Sequence, residues 1–209
     1  MTAITIIGAG SIGRAVAGIA AAGGHAVQLL TRDVSKAEAA AREVAPDAAA
    51  GTVGDAITGD VVVLAVPYPA VAELLGTYAG ALDGKVVVDP TNPLDFATFD
   101  SLVVPADGSA AAEIQAQAPG ARVVKAFNTT FAATLASRKV GDATTTVLLA
   151  GDDADAKAVL ADVVRGGGLE AVDAGALSRA RELEALGFLQ LTLAVRETVA
   201  WTGGFALVR

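Results

Sequence analysis

The stretch that decides the fold is "AITIIGAGSIGRAVAGIAAAG", which spans residues 3–23. Its opening run is rich in isoleucine and threonine and predicts a β-strand over 3–8. The alanine-rich run that follows predicts a helix over 11–23. Between them stands "GAGSIG" (8–13), in which three glycines lie where the strand must turn directly into the helix.

A strand, a glycine motif and a helix in this order are typical of the nucleotide-binding βαβ unit. In that unit Gly8 permits the tight turn, Gly10 lets the backbone approach a pyrophosphate, and Gly13 lets the helix pack closely on the strand. The anion lies against the first amides of the helix, where unpaired N–H groups and the helix dipole favour it. The alternative is a purely structural turn, whereas a phosphate-loop NTPase is excluded because no Lys-Ser or Lys-Thr pair follows Gly13. The expected nucleotide contacts here are Gly8, Gly10, Ser11, Ile12 and Gly13.

The rest of the chain repeats this alternation of short apolar runs and alanine-rich stretches. Further strands are predicted at 25–30, 60–66, 85–89, 121–127, 144–151 and 169–175. Further helices are predicted at 34–45, 69–82, 109–119, 155–166 and 178–200. Strands that are apolar throughout are buried on both faces, and their alternation with helices indicates a parallel sheet. We therefore predict an α/β Rossmann fold, a doubly wound, mostly parallel sheet with helices on both faces and a small C-terminal helical extension.

The composition excludes several classes of site. The 209 residues include no cysteine and one histidine, which argues against disulfides, thiolate chemistry and a metal held by imidazoles. The net charge of −8 argues against a nucleic-acid surface. No charged segment precedes the first apolar run, and no uncharged stretch approaches the ~20 residues of a membrane span. We expect a soluble cytoplasmic protein with no metal site and no membrane partner.

The end of the second strand, "LLTRDVSK" (29–36), bears on which dinucleotide is bound. In the NAD form of this unit a carboxylate at this point accepts hydrogen bonds from the ribose 2′-hydroxyl. Here Thr31 and Arg32 take that position, and Lys36 follows about one helical turn later. A hydroxyl, a guanidinium and an ammonium suit a 2′-phosphate, so we predict NADP(H). The alternative is that Arg32 is solvated and that Asp33 caps the helix or binds the ribose.

Three segments end strands on the carboxyl side of the predicted sheet, where open α/β folds bind their ligands. They are "VPYP" (66–69), "DPTNP" (89–93) and "AFNTT" (126–130). The two asparagines offer uncharged donors and acceptors that suit a carboxamide or a planar ring. The candidate ring contacts are Val66, Pro67, Tyr68, Asn92 and Asn128.

No side chain in these segments is an obvious catalytic acid or base. The Tyr-x-x-x-Lys pair of short-chain dehydrogenases is missing, because alanine and leucine stand four residues after Tyr68 and Tyr78. Reduction of a ketone would usually need a general acid, whereas hydride transfer between two redox cofactors mainly needs the two rings to be aligned. We therefore predict a small-molecule redox acceptor and no catalytic side chain.

Other polar side chains have plainer interpretations. Lys125 is expected to extend its ammonium into solvent at the sheet edge, with a catalytic role as the alternative. His25 lies in a turn away from the predicted ligand edge and is expected to be structural. Ser35 and Glu38 have the spacing of a capping box at the start of the helix predicted over 34–45.

The end of the chain is expected to complete the molecule. Residues 181–201 predict a helix with apolar side chains on more than one face, which favours burial and a homodimer interface. Trp201 and Phe205 are candidates to close the pocket of the second substrate. We divide the chain into an NADP-binding Rossmann domain, 1–127, and a C-terminal part, 128–209, that extends the sheet, completes the substrate cleft and contributes the dimer interface.

Five segments together resemble one family. They are "TIIGAGSIGRAVA", "TRDVSKAE", "DPTNPLD", "GSAAAEIQAQAPGARVVKAFNT" and "GALSRARELE". The chain is identified on them as a member of the NADP oxidoreductase, coenzyme F420-dependent family, and the resemblance covers almost the whole chain. The "SAAAEI" helix with the "VVKAFN" block is more specific to that family than the glycine motif.

The resemblance implies hydride transfer between the nicotinamide C4 and the deazaflavin C5 of coenzyme F420, without an essential protein acid or base. It implies that the 2′-phosphate and the two rings are held by Thr31, Arg32, Lys36, Pro67, Asn92 and Asn128. Two alternatives stay open, because all share the same cofactor half. One is an NADPH-dependent reductase of a flavin, an imine or a small carbonyl, and the other is a non-catalytic NADPH-binding redox sensor.

Overall fold

Eight strands form one sheet in the computed structural model of the protein, which describes residues 1–208. The strands are β1 (Ala3–Ile7), β2 (Ala26–Thr31), β3 (Ala49–Thr52), β4 (Val61–Leu64), β5 (Val86–Asp89), β6 (Arg122–Lys125), β9 (Thr146–Ala150) and β10 (Glu170–Gly175), and β7 (Lys139–Val140) and β8 (Ala143–Thr144) form a separate hairpin. The helices are α1 (Ser11–Ala22), α2 (Val34–Val44), α3 (Val71–Thr77), α4 (Ala110–Gln117), α5 (Ala132–Ser137), α6 (Ala154–Gly166) and α7 (Ala180–Val195).

The strand order confirms the predicted Rossmann fold. From one edge the sheet reads β3-β2-β1-β4-β5-β6, all parallel, which is the order of the dinucleotide-binding fold. Beyond β6 the sheet continues through β9, which is antiparallel to β6, and β10, which is parallel to β9. The direction of the chain order reverses between β1 and β4. Ligands of open α/β sheets bind at such a switch point.

Helices cover both faces of the sheet, and each face has its own core. One core joins the inward residues of α1, α2 and α6 to the sheet, and the other joins α3 and α4 to the opposite face. The central strands β4 and β5 are buried along their whole length, Val61–Leu64 and Val86–Asp89, because both faces of the sheet are covered there. This accounts for their continuous valine runs.

All seven predicted strands form, but several short elements were not predicted. The edge strand β3 has the sequence AAGT, whose alanines give no strand signal. The helix α5 and the β7–β8 hairpin were likewise unforeseen. The helix predicted over 69–82 ends at Thr77, because Gly80 adopts a left-handed φ of 76° in the turn that follows.

The predicted capping box at the start of α2 is wrong. Asp33 is the N-cap residue, and its carboxylate accepts hydrogen bonds from the Ser35 amide at 3.0 Å and the Ser35 hydroxyl at 2.7 Å. Because α2 begins at Val34, Ser35 is already inside the helix and cannot cap it.

Candidate active site

A first cleft opens at the switch point, between the glycine turn and the ends of β2 and β4. Its volume is about 530 Å³. It brings together Gly8, Gly10, Thr31, Arg32, Lys36, Val66 and Pro67 of the predicted site, and it adds Ile7, Ala9, Arg14, Leu30, Asp33, Val53, Ala65, Ala70, Glu73 and Leu74. Seven of the thirteen predicted contacts therefore share one cavity.

The glycine turn is built from three glycines with different tasks. Gly8 has a φ of +113°, and a Cβ on it would lie 2.1 Å from the carbonyl oxygen of Ala65. A Cβ on Gly13 would lie 2.1 Å from the carbonyl oxygen of Gly8, so Gly13 serves packing and does not line the cleft. Gly10 has no such neighbour within 4 Å and is the N-cap of α1. No side chain caps this helix, so its first amides are available to an anion.

Two cations lie on the β2 side of the same cleft. Arg32 and Lys36 are exposed and line it, and no salt bridge engages either of them within residues 1–208. Thr31 also lines the cleft, but its hydroxyl donates to the carbonyl oxygen of Asp33. Thr31 thus stabilises the turn that carries Arg32, and its hydroxyl proton is engaged in this hydrogen bond.

Asp33 lines the cleft but is engaged elsewhere. Its carboxylate caps α2, and the hydrogen bonds from Ser35 hold the pKa of that carboxyl below its usual value. Arg14 also lines the cleft and was not among the predicted contacts. Its Nε donates to the carbonyl oxygen of Ala9 at 3.0 Å, and its guanidinium pairs with Glu43. The only sequence signal for Arg14 is its place directly after the glycine motif.

A second cleft, of about 460 Å³, lies on the other side of the start of α1. It contains Ser11, Ile12, Asn92 and Asn128 of the predicted site, together with Pro90, Phe127, Thr130, Phe131, Ala132, Ala133, Leu191 and Trp201. None of these described lining residues is an aspartate, glutamate, histidine, lysine or tyrosine. The cleft therefore presents amides, hydroxyls and apolar surface, with no titratable side chain.

The two asparagines of this cleft are hydrogen-bonded to each other. Asn92 Nδ2 donates to the main-chain oxygen of Asn128 at 2.9 Å, and Asn128 Nδ2 donates to Asn92 Oδ1 at 2.9 Å. Asn128 Nδ2 also donates to the carbonyl oxygen of Leu183 on α7 at 2.8 Å. Gly187 packs so closely here that a Cβ on it would lie 2.4 Å from Asn92 Oδ1. The helix α7 thus fixes both asparagines, and neither Leu183 nor Gly187 had a sequence signal for this role.

The three aromatic residues predicted to line the site, Tyr68, Trp201 and Phe205, lie in three different places. Tyr68 lines neither cleft, and its hydroxyl donates to Glu113 on α4. Burial and that carboxylate raise the pKa of Tyr68 above its ordinary value. Trp201 lines the second cleft and packs on Phe131 with ring centroids 4.9 Å apart, whereas Phe205 lies in a separate groove beside Thr129.

The expectation that Lys125 extends into solvent is wrong. Its side chain is fully buried, and its Nζ lies 2.8 Å from Asp89 Oδ2, 2.6 Å from the carbonyl oxygen of Thr91 and 2.8 Å from Glu184 Oε1. Glu184 also accepts the Ala110 amide at the start of α4, at 2.9 Å. Burial raises the pKa of Glu184, against the attraction of the ammonium. Lys125 lines neither cleft.

No group of three or more histidine, aspartate or glutamate side chains within residues 1–208 is arranged to hold a metal ion. None of the helices in that range has the length and apolar character needed to cross a bilayer.

Known proteins are similar to this chain over most of its length. The family described as NADP oxidoreductase, coenzyme F420-dependent matches residues 3–93. The F420-dependent NADP reductase of Methanothermobacter marburgensis is 30% identical over 210 residues, which cover 94% of this chain and 93% of that protein. The protein of the same name from Methanocaldococcus jannaschii is 32% identical over 149 residues, which cover 69% of this chain and 66% of the relative.

A solved structure agrees with these sequence relatives. A protein of Arthrobacter sp. FB24, provisionally named an F420-dependent NADP reductase, superposes with a TM-score of 0.86 at 28% identity, and 100% of each chain is covered. The family match over residues 3–93 and the relative that is 30% identical over 94% of this chain together show the family. The chain belongs to the NADP oxidoreductase, coenzyme F420-dependent family.

Proposed function

We propose that this protein is an oxidoreductase that transfers a hydride between NADP(H) and the deazaflavin coenzyme F420. The observation that carries the proposal is the pairing of two clefts across the start of α1. The first cleft presents cations and helix amides that suit phosphates. Among the described residues that line the second cleft, none has a titratable side chain. Such a site can align two rings, but its side chains offer no proton to a carbonyl oxygen. Hydride transfer to a deazaflavin needs this alignment of the two rings but no acidic side chain of the protein.

The residues have distinct tasks in this proposal. The amides after Gly10 bind the pyrophosphate, and Arg32 and Lys36 bind the 2′-phosphate. Ser11 and Ile12 line the second cleft, so they bring the nicotinamide end of the dinucleotide past the start of α1. Apolar surface from Phe131 and Trp201 excludes water from the rings. When bound, NADPH supplies the hydride from C4 of its nicotinamide.

We also propose that the chain divides after residue 127, and the two clefts support this division. All lining residues of the first cleft lie within 1–127, and most of those of the second cleft, including Leu191 and Trp201, lie within 128–208. We propose a homodimer formed through α7, whose side chains of Leu189 and Val195 are 50% and 46% exposed. A cytoplasmic location stays a prediction from the sequence.

The test is anaerobic mixing of the protein with NADPH and oxidised coenzyme F420, following the loss of the deazaflavin absorbance. NADH in place of NADPH tests the 2′-phosphate site, and a free flavin in place of the deazaflavin tests the acceptor. We expect fast bleaching with NADPH and coenzyme F420, and at least tenfold slower reaction with NADH. Reduction of the flavin alone would identify a different reductase. Tight NADPH binding without oxidation by any acceptor would favour a redox sensor.

A further inference from the structure

The side-chain oxygen of Asn128 is buried without a hydrogen-bond partner. The residue is 5% exposed, and Oδ1 is one of the buried polar atoms that no described group reaches. Its amide nitrogen, in contrast, donates to Asn92 Oδ1 at 2.9 Å and to the carbonyl oxygen of Leu183 at 2.8 Å. The carbonyl oxygen of Leu183 can only accept, so the nitrogen must face it and the orientation of the amide is determined.

A buried acceptor in this condition needs a donor from outside the chain. Buried polar groups in folded proteins are almost always paired, and an unpaired acceptor loses its water without compensation. Asn128 cannot turn to satisfy Oδ1, because turning would break both bonds of its nitrogen. Asn128 lines the second cleft, so a ligand that enters this cleft can supply the donor in place of a bound water.

The donor that fits is the amide of a nicotinamide. Ser11 and Ile12 link the glycine turn to this cleft, so the ring end of a dinucleotide whose phosphates lie on α1 is the part that enters it. We propose that Asn128 Oδ1 accepts a hydrogen bond from the nicotinamide carboxamide N–H and thereby fixes the rotation of the ring about its glycosidic bond. This inference rests on the proposed binding of NADP(H).

The test compares NADP⁺ with 3-acetylpyridine adenine dinucleotide phosphate, in which a methyl ketone replaces the carboxamide and removes its N–H donors. Dissociation constants are measured by calorimetry for the wild type and for Asn128→Ala. We expect the wild type to bind NADP⁺ about tenfold more tightly than the analogue, and the variant to bind both within about twofold. Thr134→Val is the matched control, because the buried Thr134 hydroxyl donates to the main-chain oxygen of Phe131 at 2.9 Å and Thr134 lines neither cleft. It should keep the wild-type ratio.

Several outcomes would overturn the inference. A wild-type ratio near one would do so, and so would a tenfold ratio that Asn128→Ala preserves. The deazaflavin also carries an imide N–H, so coenzyme F420 affinity is measured by fluorescence in parallel. If Asn128→Ala weakens coenzyme F420 and leaves the NADP⁺ ratio unchanged, the donor is the deazaflavin. Failure of the wild type to bind NADP⁺ at all would instead remove the proposed function.

A second measurement covers the case in which Asn128→Ala does not fold. NADP⁺ labelled with ¹⁵N in the carboxamide is bound to the wild type and observed by NMR. We expect one amide proton to shift downfield and to show a through-space contact with the Asn128 side-chain amide. Bound NADP⁺ whose amide protons keep their free shifts would contradict the inference.

Discussion

Lys125 on β6 and Glu184 on α7 form an ion pair of 2.8 Å (Nζ to Oε1) from which solvent is excluded, since the two side chains are 0% and 1% exposed. Asp89 at the end of β5 is the second carboxylate on the same ammonium, also at 2.8 Å. The three charges join two strand ends to the helix that fixes Asn92 and Asn128. The buried cluster therefore links the segments that build the second cleft, although none of its charged groups lines it.

Lys125→Met should strongly destabilise the protein. The substitution removes the cation and leaves Asp89 and Glu184 as buried, uncompensated carboxylates, which typically costs about 3–5 kcal/mol. Urea denaturation gives the free energy of unfolding. Lys139→Met is the matched control, because Lys139 is exposed and forms no salt bridge within residues 1–208, so its loss should cost about 0.5 kcal/mol or less. Equal losses in the two variants would show that the buried cluster has no special weight.

Glu184→Gln should change how stability depends on pH. Burial raises the pKa of Glu184 above its ordinary value of 4.5, and the charge of Asp89 acts in the same direction. At a pH between the ordinary and the raised pKa, Glu184 therefore keeps its proton in the folded protein and has lost it in the unfolded chain. This contribution is complete below the ordinary pKa and is lost as the pH rises through the raised pKa. Glutamine does not titrate, so the Glu184→Gln variant lacks this pH-dependent contribution to stability.

The quantity to measure is the free energy of unfolding of the wild type minus that of Glu184→Gln, from about pH 5 to about pH 8. We expect this difference to fall as the pH rises. Contributions of other titrating groups cancel to first order in the difference. A difference that rises with pH would mean that the attraction of Lys125 outweighs burial.

Arg32→Ala should weaken the binding of NADPH much more than the binding of NADH. A charge-assisted hydrogen bond contributes about 1.5–3 kcal/mol, so the dissociation constant for NADPH should rise roughly 10- to 100-fold while that for NADH changes little. Fluorescence titration of the two reduced dinucleotides measures both. Arg42→Ala on α2, the helix that follows Arg32, is the control, because Arg42 does not line the cleft and its side chain is 72% exposed. Equal weakening of both dinucleotides by Arg32→Ala would argue against a 2′-phosphate contact.

Gly187→Ala should damage the second cleft and spare the first. Its Cβ would lie 2.4 Å from Asn92 Oδ1 and 2.8 Å from the main-chain oxygen of Asn128, so one of them must move. We expect a loss of about 1–3 kcal/mol in stability and a lower rate of coenzyme F420 reduction. Gly18→Ala on α1 is the control, since its Cβ would meet nothing within 4 Å. That change should be neutral or stabilising. A normal reduction rate in Gly187→Ala would show that the asparagine pair tolerates displacement.

The contrast between Arg32 and Lys125 shows what the sequence can predict about this site. The place of Arg32 follows from local rules, because the end of β2 is fixed by the distance from the glycine motif. Lys125 is the last residue of the short strand β6, and its environment depends on carboxylates from two distant elements, Asp89 on β5 and Glu184 on α7. The edge strand β3 was missed because its alanines give no strand signal, and α5 was missed because a helix of six residues is too short to form without tertiary contacts.

The last prediction concerns assembly through α7. Apolar side chains on the outer part of this helix are only partly covered, with Leu189 50% exposed, and the adjacent loop adds Phe96 at 55% and Val103 at 56%. A second copy of the chain would bury this surface. Light scattering should therefore give the wild type twice the 20.7 kDa of one chain, whereas Leu189→Glu should give a single chain with unchanged helix content. Val34→Glu places the same charge on another exposed aliphatic residue, at the start of α2, and should stay dimeric. A monomeric wild type, or a Leu189→Glu variant that still pairs, would exclude α7 as the interface.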